Sequence, residues 1–100
     1  MVKLTLLYGH PQDAAAFERY YAETHLPIAA KIQGLRRAEF SRATGAPDGG
    51  KPAYHRIAEL YFDDDQHMQK VMGSPEAVAA VADLPNFATG GVTVLASEIT

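Results

Sequence analysis

Residues 35–62, LRRAEFSRATGAPDGGKPAYHRIAELYF, hold two strand-like segments with no helix between them, Leu35 to Thr44 and Ala53 to Phe62. The joining stretch, Gly45-Ala46-Pro47-Asp48-Gly49-Gly50-Lys51-Pro52, is built from residues that supply turn dihedrals, so the pair reads as an antiparallel hairpin. Ala38 and Phe40 on one segment, with Ala58, Leu60 and Phe62 on the other, share the parity of a helix-facing surface. Arg37, Glu39, His55 and Glu59 fall on the opposite parity.

Working outward toward the N-terminus, Val2, Leu4, Leu6 and Tyr8 alternate with Lys3 and Thr5, the period of a strand with one better-buried face. Gly9-His10-Pro11 ends that strand, and Asp13 stands as an N-cap before a helix starting near Ala14. Phe17, Tyr20, Tyr21, Thr24 and Ile28 recur at intervals of three and four on one helical face, with Glu18, Arg19, Ala22 and Glu23 on the other. Pro27 lacks an amide hydrogen and disfavours helix at Leu26, so a kink or pause is expected there, and Gly34 is expected to close the helix as its C′ residue.

Toward the C-terminus, Asp63-Asp64-Asp65 opens a helix through Met72, Gly73 interrupts it, and Ser74-Pro75-Glu76 restarts it with a cap and a proline at the first helical position. After Leu84-Pro85-Asn86-Phe87, the aliphatic run Val92 to Ile99 reads as a last strand. The order strand, helix, strand, strand, helix, strand is a split βαβ arrangement. Right-handed crossovers then place both helices on one face of a four-stranded antiparallel sheet, a ferredoxin-like α+β fold. The uncovered face, expected to carry Ile57, Tyr61, Val92 and Val94, would be buried against a second copy of the chain about a two-fold axis.

One hundred residues with no linker fit one domain, residues 1–100, whose core is thin enough that a partner subunit would extend it. The net charge of −3 and the scattered nine Lys and Arg give no nucleic-acid footprint. No cysteine is present, which excludes disulfides, thiolate nucleophiles and cysteine-based metal sites. There is no secretory-leader pattern and no run of about twenty apolar residues, so a cytoplasmic protein that does not enter the membrane is expected.

The most specific feature is Phe17-x-x-Tyr20-Tyr21-x-x-x-His25-x-Pro27, followed by Gly34-Leu35 and preceded by the Gly9-His10-Pro11 turn. This combination resembles the EthD family of dimeric α/β-barrel proteins over nearly the whole chain. The resemblance implies a homodimeric barrel and places the family's histidine on His25 and its aromatic position on Tyr21, with Tyr20 beside it. The wider superfamily includes cofactor-independent monooxygenases, polyketide cyclases, decarboxylases and haem-handling enzymes, so the reaction stays open.

The residues themselves point the same way. His25 sits roughly 40° around the helix from Tyr21, at the edge of the apolar stripe, where an imidazole could serve as general acid or base. It could equally bond a carbonyl freed by Pro27 and only stabilise the kink. Phe17, Tyr20, Tyr21, Phe40 and Phe62 are the candidate walls of a substrate site, or the filling of a core with no room for a ligand.

Arg36, Arg42 and Arg56 read as solvated cations, or as partners for a carboxylate-bearing substrate if their parity faces the helices. The four histidines share no metal-ligand spacing, and Asp63 to Asp65 read as a cap, so neither metal nor cofactor is expected. Two functions fit these residues. One is a small cofactor-independent protein that binds or transforms a hydrophobic or aromatic molecule by acid–base chemistry of lyase, cyclase or monooxygenase type. The other is a non-catalytic homodimeric ligand-binding or accessory module for a partner oxidoreductase.

Overall fold

The central hairpin is flanked as its sequence requires. A computed structural model describes residues 1–100 and gives strand β1 (Val2–Tyr8), helix α1 (Ala14–Tyr20), a π-helical turn (Tyr21–His25), helix α2 (Leu26–Ala29) and strand β2 (Arg37–Arg42). Strand β3 (Arg56–Phe62), helix α3 (Asp65–Met72), helix α4 (Pro75–Asp83), a 3-10 turn (Leu84–Asn86) and strand β4 (Val92–Glu98) complete the chain. The sheet is antiparallel in the order β2-β3-β1-β4, the ferredoxin-like arrangement. No helix is long and apolar enough to cross a membrane.

Local chemistry sets the helix ends. Asp13, Asp64 and Ser74 each accept a hydrogen bond from a first-turn amide, at Ala16, His67 and Ala77. Pro27 has no amide hydrogen to return to the carbonyl four residues back. Just before it, the Leu26 N–H reaches back five residues to the Tyr21 carbonyl, so the helix widens through Tyr21–His25 instead of kinking sharply. This wide turn buries both Tyr21 and His25. Gly34 is not the helix C′ residue: α2 ends at Ala29, and tighter turns at Lys31 and Ile32 unwind the chain before Gly34 takes a positive φ of 96°.

Register sorts the sheet faces. One row of partners runs Phe40, Ala58, Leu6, Val94 and the next Ala38, Leu60, Leu4, Ala96, all on the helix side. Val92 and Val94 therefore face the helices opposite Tyr8 and Leu6, not the open face. The open face instead carries Leu7, Ile57 and Leu95 among Lys3, Glu59, Arg37 and Tyr61. His55 also departs from its expected parity. It precedes β3, donates its amide to the Tyr8 carbonyl, and turns its ring to Phe17 and Glu18 on the helix side, as Arg56 does after it.

The core runs from Val2 and Leu6 through Tyr8, Phe17, Tyr21, Leu60 and Phe62 to Leu84 and Phe87. At one end, β1 leaves and β4 begins in backbone contact, the Gly9 amide donating to the Gly91 carbonyl at 2.9 Å.

Candidate functional site

The wide turn of helix one aims His25 at the end of α4. Its Nδ1 lies 2.9 Å from Asp83 Oδ2, both residues being buried. Asp83 Oδ1 accepts two further bonds, from the Tyr20 hydroxyl at 2.6 Å and from Asn86 Nδ2 at 2.9 Å. Burial pushes the Asp83 carboxyl up. The bonds from Tyr20, Asn86 and His25 outweigh that and hold it below the usual carboxylate range, so it is an anion near neutral pH. An anionic acceptor requires a hydrogen on Nδ1, and Nε2 has no hydrogen-bond partner in the chain.

His25 also forms part of the wall of a cavity of about 470 Å³ between helices and sheet, a size typical of small-molecule sites. Leu4, Leu6, Ala58 and Leu60 make its floor, Leu26 and Leu84 cover it, and no Asp, Glu, Lys or Arg lines it. Phe40 and Val94, on the two edge strands, are 42% and 49% exposed and mark its outer margins.

The wall behind Tyr21 is electrostatically tied. Arg56 forks onto Glu18 and stands 4.7 Å from the Tyr21 ring centroid, while His55 Nε2 meets Glu18 Oε2 at 3.0 Å. The Arg56 hydrogen bond, opposed by burial and helped by His55, holds the Glu18 carboxyl below its usual range. Arg56 is thus neither solvated nor free for a ligand, and Glu18 does not belong to a solvated helix face. No set of three or more His, Cys, Asp or Glu side chains converges as a metal site would need.

Of the residues singled out from sequence, His25, Tyr21 and Phe40 line the cavity. Tyr20 does not; it stands behind Asp83 as a donor. Phe17 and Phe62 are core, Phe17 stacked on Tyr21 at 5.6 Å and Phe62 packed edge-on against the His67 ring. The aromatic side chains do not fill the space between helices and sheet. His25 bonds Asp83 and not a carbonyl released by Pro27. Asp83 is the member of this network that the sequence did not single out, yet it repeats the spacing of Ala77 and Ala80, the buried stripe of α4, and a carboxylate on such a stripe demands partners.

Comparison with known proteins agrees with this architecture. Residues 9–91 match the family model described as the EthD domain. The chain belongs to the EthD family. An uncharacterized 11.0 kDa protein from the thcB-thcC intergenic region of Rhodococcus erythropolis is 36% identical over 98 residues, covering 98% of this chain and 94% of that one. The crystal structure of an EthD family protein from Bacillus halodurans is also 36% identical and superposes with a TM-score of 0.91, covering 100% of this chain and 99% of that one. A dimeric protein of unknown function from Bacteroides fragilis shares the ferredoxin-like fold at 18% identity and a TM-score of 0.68, over 98% and 95% of the two chains. In this EthD chain the matched span begins at Gly9, which meets Gly90 and Gly91 just before β4, and takes in both His25 and Asp83.

Proposed function

We propose that this EthD-family chain holds a small, largely apolar molecule between its helices and sheet, and that His25, oriented by Asp83, moves a proton on it. The observation that carries the reading is a buried imidazole whose Nδ1 is fixed on an anionic carboxylate while the ring faces an apolar cavity. A general base needs that arrangement: the proton taken at Nε2 makes an imidazolium that Asp83 stabilises. The chemistry is cofactor-independent acid–base catalysis of the lyase, cyclase or monooxygenase kind, which has in common removal of a proton from a C–H or O–H group.

The test uses 2-tetralone, a neutral two-ring ketone with an acidic C–H, and follows its hydrogen–deuterium exchange in D2O by NMR. The protein is expected to accelerate exchange over buffer. His25→Gln, which keeps a donor for Asp83, should lose at least about tenfold of the acceleration. Ala58→Leu, which fills the cavity floor, should abolish it. Exchange at the buffer rate with wild-type protein refutes proton transfer, and equal rates in His25→Gln remove His25 from the chemistry.

The working unit proposed is a homodimer of one-domain subunits, residues 1–100, closed through the open sheet face. Leu95 is half exposed there, and Leu7 and Ile57 lie on the same face, apolar surface that a second copy would cover. Sedimentation should give twice the 10.8 kDa chain mass for the wild type and a shift to monomer for Leu95→Glu. A monomeric wild type would rule the dimer out.

A further inference from the structure

Tyr21 is the residue that the cavity reading leaves unexplained. Its hydroxyl is the one fully buried side-chain polar atom of the chain without a hydrogen-bond partner. Leaving such a group unmade costs about 1–3 kcal/mol, and the free chain has no use for it. The Tyr8 hydroxyl lies near enough for a hydrogen-bond-like contact to shift the ionisation of both tyrosines, yet the pair falls short of full hydrogen-bond geometry and the Tyr21 hydroxyl stays without a partner. Both tyrosines belong to the cavity wall, and the Tyr21 ring stacks on His25 with centroids 5.6 Å apart.

Given a ligand in that cavity, on which the assignment rests, we propose that it carries a neutral oxygen, a ketone or a phenol, that accepts a hydrogen bond from the Tyr8–Tyr21 pair while its acidic hydrogen faces His25 Nε2. Both hydroxyls stay protonated near neutral pH and so are donors. Burial pushes Tyr21 up to about 12, against the pull of Arg56, and burial beside Tyr21 pushes Tyr8 higher still. When His25 takes the proton, the electron pair left behind moves onto the ligand oxygen as an enolate or phenolate. The hydroxyl donor that the Tyr8–Tyr21 pair supplies at that oxygen stabilises it.

The same wall selects against carboxylates. No cation lines the cavity, the nearby Arg56 is spent on Glu18, and the Asp83 anion lies just behind His25. A carboxylate would lose its hydration without gaining a counter-ion.

Three two-ring probes test this by titration calorimetry: naphthalene, 2-naphthol and 2-naphthoate. The wild type should bind 2-naphthol about tenfold more tightly than naphthalene, the worth of one buried hydrogen bond, and about tenfold more tightly than 2-naphthoate. Tyr21→Phe and Tyr8→Phe should erase most of the 2-naphthol advantage and leave naphthalene affinity unchanged. Tyr21→Phe should also melt no lower than the wild type, and a few degrees higher if anything, because it deletes an orphan group; a merely structural hydroxyl would show the reverse. If the 2-naphthol to naphthalene ratio survives in both Phe variants, or 2-naphthoate binds as tightly as 2-naphthol, the inference is wrong and the cavity stands. If the wild type binds none of the three, the cavity reading falls with it.

Discussion

Asp83→Ala is expected to destabilise the protein by about 3 kcal/mol and to release the His25 ring. The carboxylate is the common acceptor for Tyr20, His25 and Asn86, and its removal leaves three donors with nothing to bond in a region where Asp83 itself is only 7% exposed. One stranded buried donor accounts for about 1–3 kcal/mol, so the expected loss allows for partial rescue by water at the Tyr20 side. Urea unfolding at pH 7 reads the effect. A loss within about half a kcal/mol would mean that the network is not what holds α4 to helix one.

The same carboxyl gives a pH signature with a definite sign. Its folded value lies below the ordinary 3.8, so its contribution is complete above that value and disappears as the pH falls through the lower one. Acidification should therefore weaken the wild type more than Asp83→Asn, which has no carboxyl to protonate. Glu18, likewise held low by Arg56, adds to the acid loss in both proteins and cancels in the comparison. In Asp83→Asn, the amide can present a donor to Nδ1, which would shift the imidazole hydrogen to Nε2. Nitrogen-15 shifts of His25 should report that exchange of tautomers, and with it the loss of an acceptor facing the cavity.

What the sequence disclosed is what short-range chemistry determines. The hairpin, the caps at Asp13 and Ser74, the break at Gly73 and the strand and helix order depend on neighbours within a few residues. The parity of β4 did not yield, because Val92, Val94 and Leu95 put aliphatic side chains on both alternations and only pairing with β1 decides between them. The π-helical turn was legible as a disturbance near Pro27 but not as a widening, since its bond from Leu26 back to Tyr21 depends on what the turn packs against. His25 stood out by its position in the aromatic stripe. Its partner, 58 residues away, had only the Ala77, Ala80, Asp83 spacing to announce it, and nothing in that spacing names histidine. Tyr20 and Tyr21 look alike in sequence, and only the packed structure assigns one to Asp83 and the other to the cavity wall.

Gly9→Ala and Gly90→Ala should be the most damaging single substitutions in the chain, each costing at least about 3 kcal/mol or preventing folding outright. A β-carbon at Gly9 would stand 2.2 Å from the Gly90 carbonyl oxygen, and one at Gly90 would stand 2.3 Å from the His10 carbonyl oxygen. Both obstacles are backbone, so no rotamer change relieves them, and separating the two segments would break the hydrogen bond from the Gly9 amide to the Gly91 carbonyl. For a domain of this size, whose total stability is on the order of 5–15 kcal/mol, that is a large fraction. Gly45→Ala is the control, since a β-carbon there meets nothing within 4 Å and should leave the unfolding midpoint unchanged. The damage should also reach the site. Tyr8 is the last residue of β1, its ring packs 5.8 Å from Phe87, and Phe87 packs 4.6 Å from His25. Any surviving Gly9→Ala protein should therefore lose 2-naphthol binding along with stability. Unfolding within about 1 kcal/mol of the wild type would show that the two backbones can part at little cost, and that the Gly9–Gly90 contact does not fix Tyr8 against the cavity.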